Sequence, residues 1–211
     1  MTAGAVVLAG GRSSRMGQEK ALLDWRGQTA VEHAVAVVRE GIGDGPVCVV
    51  RAPGQELPPL DAIVVEDEVA YDGPLAALHT GLVALSGEAG VAFACGIDTP
   101  LLVPAFVRAV LRTFRKGDDG IVPTIGGRSQ PLLAAYRVGI APHLRALLDD
   151  GAYGLREIPR TSKVRQVTEW ELIADPELDE ADPRLDSARN ANTPEEWAAL
   201  VAATRQTPAS G

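Results

Sequence analysis

Ala5-Val6-Val7-Leu8-Ala9-Gly10-Gly11-Arg12-Ser13-Ser14-Arg15-Met16-Gly17-Gln18-Glu19-Lys20-Ala21-Leu22-Leu23 carries the densest chemical signal in the chain. An apolar run that reads as a buried strand ends in two glycines. A polar loop follows, with two arginines, a third glycine and Lys20. Such a loop suits a phosphate chain. Glycines let backbone N–H groups approach anionic oxygens and accept the positive φ values the turn needs. Arg15 and Lys20 would supply the charge that neutralises a triphosphate and a leaving pyrophosphate. The loop is not a Walker A loop, because no Gly-Lys-Ser/Thr closes it, and it lacks the G-x-G-x-x-G of dinucleotide binders. Taken alone, a Gly-Gly pair after a strand reads equally well as an ordinary solvent-exposed βα loop.

Beyond this stretch, the 211 residues suffice for one large domain over 1–203 with a frayed tail at 204–211. Apolar residues make up 46% of the chain, yet no run approaches the ~20 residues needed to cross a bilayer. The N-terminus enters strand-like sequence without a basic region, an apolar stretch and a cleavage site. The expectation is a soluble cytoplasmic protein with no membrane association. A formal charge of −8 argues against general nucleic-acid binding. It leaves room for a nucleotide, since the charge inside one cleft can oppose the global sign. Cys48 and Cys95 lie in apolar runs and read as buried reduced thiols.

Short β-rich runs alternate with longer helical patterns. Strands are expected at 3–8, 46–51, 62–65, 91–95, 120–123, 131–136 and 163–167, and helices at 30–39, 74–85, 104–115, 140–149 and 194–203. Continuous apolar strands separated by amphipathic helices predict a largely parallel sheet covered on both faces. Ligands bind such sheets at the carboxyl ends of the strands, where strand order reverses. The acidic, proline-containing stretch 171–187 reads as a surface excursion.

Further motifs fall just after expected strand ends. In Cys95-Gly96-Ile97-Asp98-Thr99-Pro100-Leu101-Leu102, Asp98 could hold Mg²⁺ while the metal bridges nucleotide phosphates. On the residues alone the same acid reads rather more readily as the cap of a helix starting near 103 or 104. Asp67, within Val64-Val65-Glu66-Asp67-Glu68, could accept both donors of a guanine edge, or belong to a solvated turn. Asn190 and Asn192 alternate along an extended segment and so share one face, suiting a phosphate, a pterin edge or a hydrated metal. Asn is also common in turns beside helix caps. Gly126-Gly127-Arg128 reads as a glycine turn feeding the strand after Gln130-Pro131-Leu132. His33, His79 and His143 lie in helical patterns without metal spacing and receive no catalytic role.

From residue 5 to residue 197 these strings resemble, in order, the molybdenum cofactor guanylyltransferases and their nucleotidyltransferase relatives. The opening follows L-A-G-G-x-S-x-R-M-G-x-D-K-A-L-L, with Glu19 in place of the usual Asp; C-x-x-D-x-P-x-L returns around Asp98, and N-x-N-T-P-E-[DE] at Asn190. The resemblance implies a three-layer, Rossmann-like α/β nucleotidyltransferase fold with a mostly parallel central sheet. The implied reaction moves GMP from GTP onto the terminal phosphate of molybdopterin, releasing pyrophosphate, with Mg²⁺ as cofactor. It implies Asp98 for the metal, Lys20 and Arg15 for the phosphates, and Leu8, Ala9, Gly10 and Gly11 for the base and ribose. Asp67 and Arg51 would complete the nucleotide pocket, with Gly73, Asn190 and Asn192 toward the acceptor. The chain departs from the pattern at Ala77, where a second glycine is frequent, and at Arg51, where guanylyl members often carry Asn. Three rival readings stand beside this one: a cytidylyltransferase on the same pterin, a transferase with another phosphorylated acceptor, and a non-catalytic nucleotide-binding regulator. Proteins that pass on a labile cofactor would be transient partners.

Overall fold

The computed structural model describes residues 2–10, 19–67, 73–160 and 162–205. In chain order its strands are β1 (Ala3–Leu8), β2 (Asp24–Trp25), β3 (Gln28–Thr29), β4 (Val47–Arg51), β5 (Ile63–Glu66), β6 (Val91–Gly96), β7 (Gly120–Ile125), β8 (Arg128–Ser129), β9 (Leu133–Arg137) and β10 (Val164–Thr168). The helices are α1 (Ala30–Ile42), α2 (Pro74–Ala84), α3 (Pro104–Arg112), α4 (Ala141–Asp149), α5 (Glu169–Ile173), α6 (Pro176–Ala181) and α7 (Pro194–Arg205). The main sheet runs β5-β4-β1-β6-β9-β7-β10, with β8 added to β7. Its neighbours are parallel except at β9, which is antiparallel to both β6 and β7, and at β8.

Strand alternation decides which layer each side chain joins. Along β1, Ala5 and Val7 enter the core under α1 and α3, while Val6 and Leu8 enter the one under α2 and α4. Helix docking is close on both faces. A Cβ at Gly41 of α1 would lie 2.6 Å from the Val107 Cβ of α3, and one at Gly81 of α2 would strike Val6 of β1. Helix starts follow their local signals: Thr29 and Glu32 form a reciprocal capping box on α1, and proline opens α2, α3 and α4.

The chain leaves β1 for β4 and β5 on one side, then returns to β6 on the other. That reversal opens a crevice at the carboxyl ends of β1 and β6. Parallel pairing sets Leu8 opposite Gly96, so the segments that follow both strands emerge side by side.

The stretch 171–187 is not a surface excursion. It folds into α5 and α6, whose Leu172 and Leu178 are fully buried against the α3 face. Its acids have partners: Arg108 and Arg112 of α3 pair with Glu177, and Arg112 also with Asp175. The buried Asp182 carboxylate accepts the amides of Asp186 at 2.7 Å and Ser187 at 2.9 Å. Acid-rich composition masked a segment whose leucines, Leu172, Leu178 and Leu185, all point inward.

Candidate active site

Asp98 stands two residues past β6, half-buried. The capping alternative fails here. The N-cap of α3 is Val103, and its amide donates to the Oγ of Ser187 at 3.2 Å. Val103 makes no side-chain cap, and Asp98, five residues before it, is left for other partners. The turn explains its glycine: a Cβ on Gly96 would sit 2.5 Å from Asp98 Oδ1.

Lys20 opens the short 3-10 turn Lys20–Leu22 and is half-buried. Its Nζ donates to Asn192 Oδ1 at 3.4 Å. Burial lowers its pKa from the ordinary lysine value, opposed by the charges of Asp98 and Glu196. Three segments remote in sequence therefore meet at one ammonium group. The Asn segment is tied directly to the acid's turn, because the Ala191 amide donates to the Asp98 carbonyl at 2.7 Å. Ala191 is fully buried while Asn190 and Asn192 are exposed on either side of it. The expected alternation is present.

Glu196 and Trp197 belong to this arrangement, and neither was among the expected site residues. Glu196 Oε2 accepts the amides of Asn192 at 2.6 Å and Thr193 at 3.2 Å, while its own amide donates to Thr193 Oγ1. This fixes the entry to α7 and the Asn192 backbone together. The Trp197 indole N–H donates to the Asp24 carbonyl at 2.9 Å, and its ring meets Trp25 edge-on at 5.5 Å. Trp25 in turn packs on His33, whose Nε2–H donates to the Pro100 carbonyl at 2.9 Å. His33 Nδ1 accepts from the Gln28 amide at 3.2 Å, and burial lowers the imidazole's pKa. One buried cluster thus braces the turn of Asp98, the segment after Lys20 and the start of α7. The Asn-Thr-Pro-Glu-Glu string was a legible clue to the Glu196 cap; nothing local marked Trp197.

On the other side of β1, the Ala9 and Gly10 amides both donate to the Val50 carbonyl, at 2.9 and 3.2 Å. These two N–H groups are therefore used within the sheet, and what this strand end offers a ligand is its carbonyl side. Arg51 is engaged by its own chain, with Nη2 on Glu66 Oε1 and Nη1 on the Gln55 carbonyl, each at 2.7 Å. Asp67 lies beside it, its amide on the Arg51 carbonyl and its Oδ1 accepting from Thr80 Oγ1 at 3.4 Å. Gly73 has φ +95° and caps α2; a Cβ there would lie 2.6 Å from the Tyr153 carbonyl oxygen. The close approach at Gly73 is to its own chain, which accounts for the glycine without an acceptor. Gly11 and Arg15 lie outside the described residues, as does Glu68. Cys48 and Cys95 are buried free thiols whose pKa values burial pushes up to about 12.

A lysine after the first strand and an acid after its neighbour, facing one crevice of a mostly parallel sheet, define an α/β protein of the nucleotidyltransferase type. The family model described as "MobA-like NTP transferase domain" matches residues 5–167, and the chain belongs to that family. Among its relatives, the probable molybdenum cofactor guanylyltransferase of Mycobacterium avium is 36% identical over 171 residues, covering 79% of this chain and 85% of that one. The protein of the same description from Mycobacterium tuberculosis is 41% identical over 150 residues, covering 69% and 73%. Among solved structures, molybdopterin-guanine dinucleotide biosynthesis protein A from Archaeoglobus fulgidus superposes with a TM-score of 0.74 at 20% identity, covering 97% of this chain and 100% of that one. The Thermus thermophilus 2-C-methyl-D-erythritol 4-phosphate cytidylyltransferase reaches 0.67 at 19% identity, covering 95% and 98%. These two likenesses establish the fold. Both Asn192 and α7 lie beyond the region that the family model matches.

Proposed function

We propose that the chain transfers GMP from GTP to the terminal phosphate of molybdopterin, forming the guanine dinucleotide cofactor and pyrophosphate. The observation that carries this is the meeting of Lys20, Asp98 and Asn192 at the β1–β6 crevice, with Asp98 standing outside the cap of α3. The relatives' shared description supplies the substrate pair. The rival regulator has little use for a partly buried lysine held beside an acid.

Chemically, an acceptor phosphate oxygen attacks the α-phosphorus in line and pyrophosphate leaves. A phosphate monoester is already anionic at neutral pH, so no strong general base is required. Lys20, with Arg15, would hold the triphosphate and offset the charge gathering on the leaving group. The partial burial of Lys20 strengthens that effect, because a charge withdrawn from water acts through a lower dielectric. Asn192, and Asn190 on the same face, would orient the acceptor phosphate by donating from their carboxamides. At the base end, the Ala9 carbonyl and Asp67 carboxylate would meet the guanine donors, with Leu8 and Gly10 shaping the wall. Arg51, turned onto Glu66, would form the side of the pocket.

The residues present fit a divalent cation. Among the described residues no group of three or more His, Cys, Asp or Glu could hold a metal by itself. One half-buried carboxylate beside substrate phosphates is the kind of donor set Mg²⁺ takes, since it keeps several waters. Asp98 would hold it, and when bound it supplies charge neutralisation at the phosphates. A Mycobacterium tuberculosis protein of the same fold has been solved as a manganese complex (TM-score 0.56, 19% identity).

The −8 charge supports a small-molecule partner over nucleic acid. No described helix is long and apolar enough to cross a membrane. Two buried thiols suit a reducing compartment, and we take the cytoplasm as the site of action.

Asp98→Asn tests the assignment. Turnover should fall by roughly three orders of magnitude, the equivalent of several kcal/mol of charge stabilisation. Circular dichroism and the melting temperature should stay near those of the parent protein. Undiminished turnover in a folded variant would remove Asp98 from the mechanism.

A further inference from the structure

We propose that the Gln55 carboxamide stands in for a nucleobase edge, and that an entering nucleotide displaces it. This rests on the reading above, in which the end of β1 forms the base end of a nucleotide pocket. Gln55 Nε2 donates to the Ala9 carbonyl at 3.3 Å, while Gln55 Oε1 accepts from the Ala52 amide at 3.0 Å. One side chain thus satisfies a backbone acceptor just past β1 and a backbone donor just past β4. A carboxamide presents O=C–N–H, and the O6–C6–N1–H edge of guanine is the same group of atoms in a ring. The backbone pair that fits one fits the other.

The surroundings fix the pair and leave the plug movable. The Ala9 amide is held on the Val50 carbonyl at 2.9 Å. The turn carrying Ala52 lies directly against β1, since a Cβ on Gly10 would come within 3.0 Å of the Ala52 nitrogen. The backbone of Gln55 is anchored through its amide on the Ala52 carbonyl at 3.0 Å, and its carbonyl accepts from Arg51. Glu66 grips both Arg51 and the Gly54 amide. Only the Gln55 side chain needs to turn for the donor–acceptor pair to be presented to a base. The bond to the Ala9 carbonyl that must break is long and correspondingly weak. Arg51 thereby acquires a place in the pocket: it braces the turn instead of reading the base.

A plug that competes with the base lowers nucleotide affinity, so its removal should raise it. Calorimetric titration of the full-length protein with GTP and with GDP would compare the parent, Gln55→Ala and Gln55→Met. Methionine keeps the bulk of the side chain if alanine loosens the turn. Both variants should bind roughly three- to tenfold more tightly, the worth of about one ordinary hydrogen bond. The factor should be equal for GTP and GDP, because the competition is at the base and not at the phosphates. Weaker or unchanged binding by both variants would overturn the proposal while leaving the nucleotide site standing. A factor that differs between GTP and GDP would also overturn it. If the parent protein binds neither nucleotide, the pocket reading fails and the proposal with it.

Discussion

At Gly96 a single methyl would land 2.5 Å from the Asp98 carboxylate oxygen, and the physical consequence separates stability from function. The obstructed atom is the far end of a side chain, so it swings aside at little cost to folding. A displaced carboxylate is costly to chemistry that depends on placement. Gly96→Ala should therefore melt close to the parent protein yet lose about tenfold or more in turnover, an effect of misplacement alone. Parent-like steady-state rates would show that Asp98 need not sit where it does.

His33 makes the opposite kind of prediction. Its neutral form is fixed, with Nε2–H on Pro100 and Nδ1 accepting from Gln28, and burial depresses its pKa. As pH falls, the unfolded chain takes up this proton first, near the ordinary value of ~6.5. Stability contributed by the neutral ring is thus present above that value and declines as pH drops toward the folded pKa. Urea midpoints at pH 7.5 and 5.5 should fall further for the parent than for His33→Gln. Equal falls would show that the neutral His33 ring contributes nothing to stability. That Lys20, Asp98 and Asn192 come together was legible because each lies in a short string with its own chemistry. Gln55 and Ser187 were not, since each matters through a backbone group 46 or 84 positions away.

Among the elements, α7 has the least obvious role in sequence and a large one in the site. It carries the Glu196 cap that holds Asn192, and Trp197, which reaches back 173 residues to Asp24. Trp197→Phe keeps an aromatic ring against Trp25 and removes the N–H from the Asp24 carbonyl. The expected outcome is a loss of about 1 kcal/mol in stability from the broken hydrogen bond. Turnover should fall severalfold as the Lys20 and Asn192 segments drift relative to one another. A stability change with unaltered turnover, read from denaturant melts and steady-state rates on one preparation, would make α7 a structural prop only. The major strands and helices were legible from periodicity and caps, with ends displaced by a few residues. The acid-rich α5 and α6 were hidden by composition. The β2–β3 hairpin was hidden by its two-residue strands and a turn at Arg26-Gly27, whose φ values are +56° and +92°. No periodicity can register in two residues.

For the whole molecule, the decisive feature is strand order, and no local pattern encodes it. Alternating strands and helices announce a parallel sheet. That β1 lies between β4 and β6, and that β9 runs backwards between β6 and β7, depends on contacts between distant segments. The family resemblance carried the architecture where the residues alone could not. It also set the expectations at Gly73 and Arg51. At both positions the structure shows a partner within the chain itself, the Tyr153 carbonyl in one case and Glu66 with Gln55 in the other. A net charge of −8 coexists with a lysine at the heart of the crevice, as expected where local field and global charge differ.

Guanylyl transfer to a phosphorylated pterin is read out by pyrophosphate release. Purified protein would be supplied with Mg²⁺, intact molybdopterin and either GTP or CTP. Release is expected with GTP, should require the pterin and should be much slower with CTP. Preference for CTP, or no release with either nucleotide, would contradict guanylyl transfer.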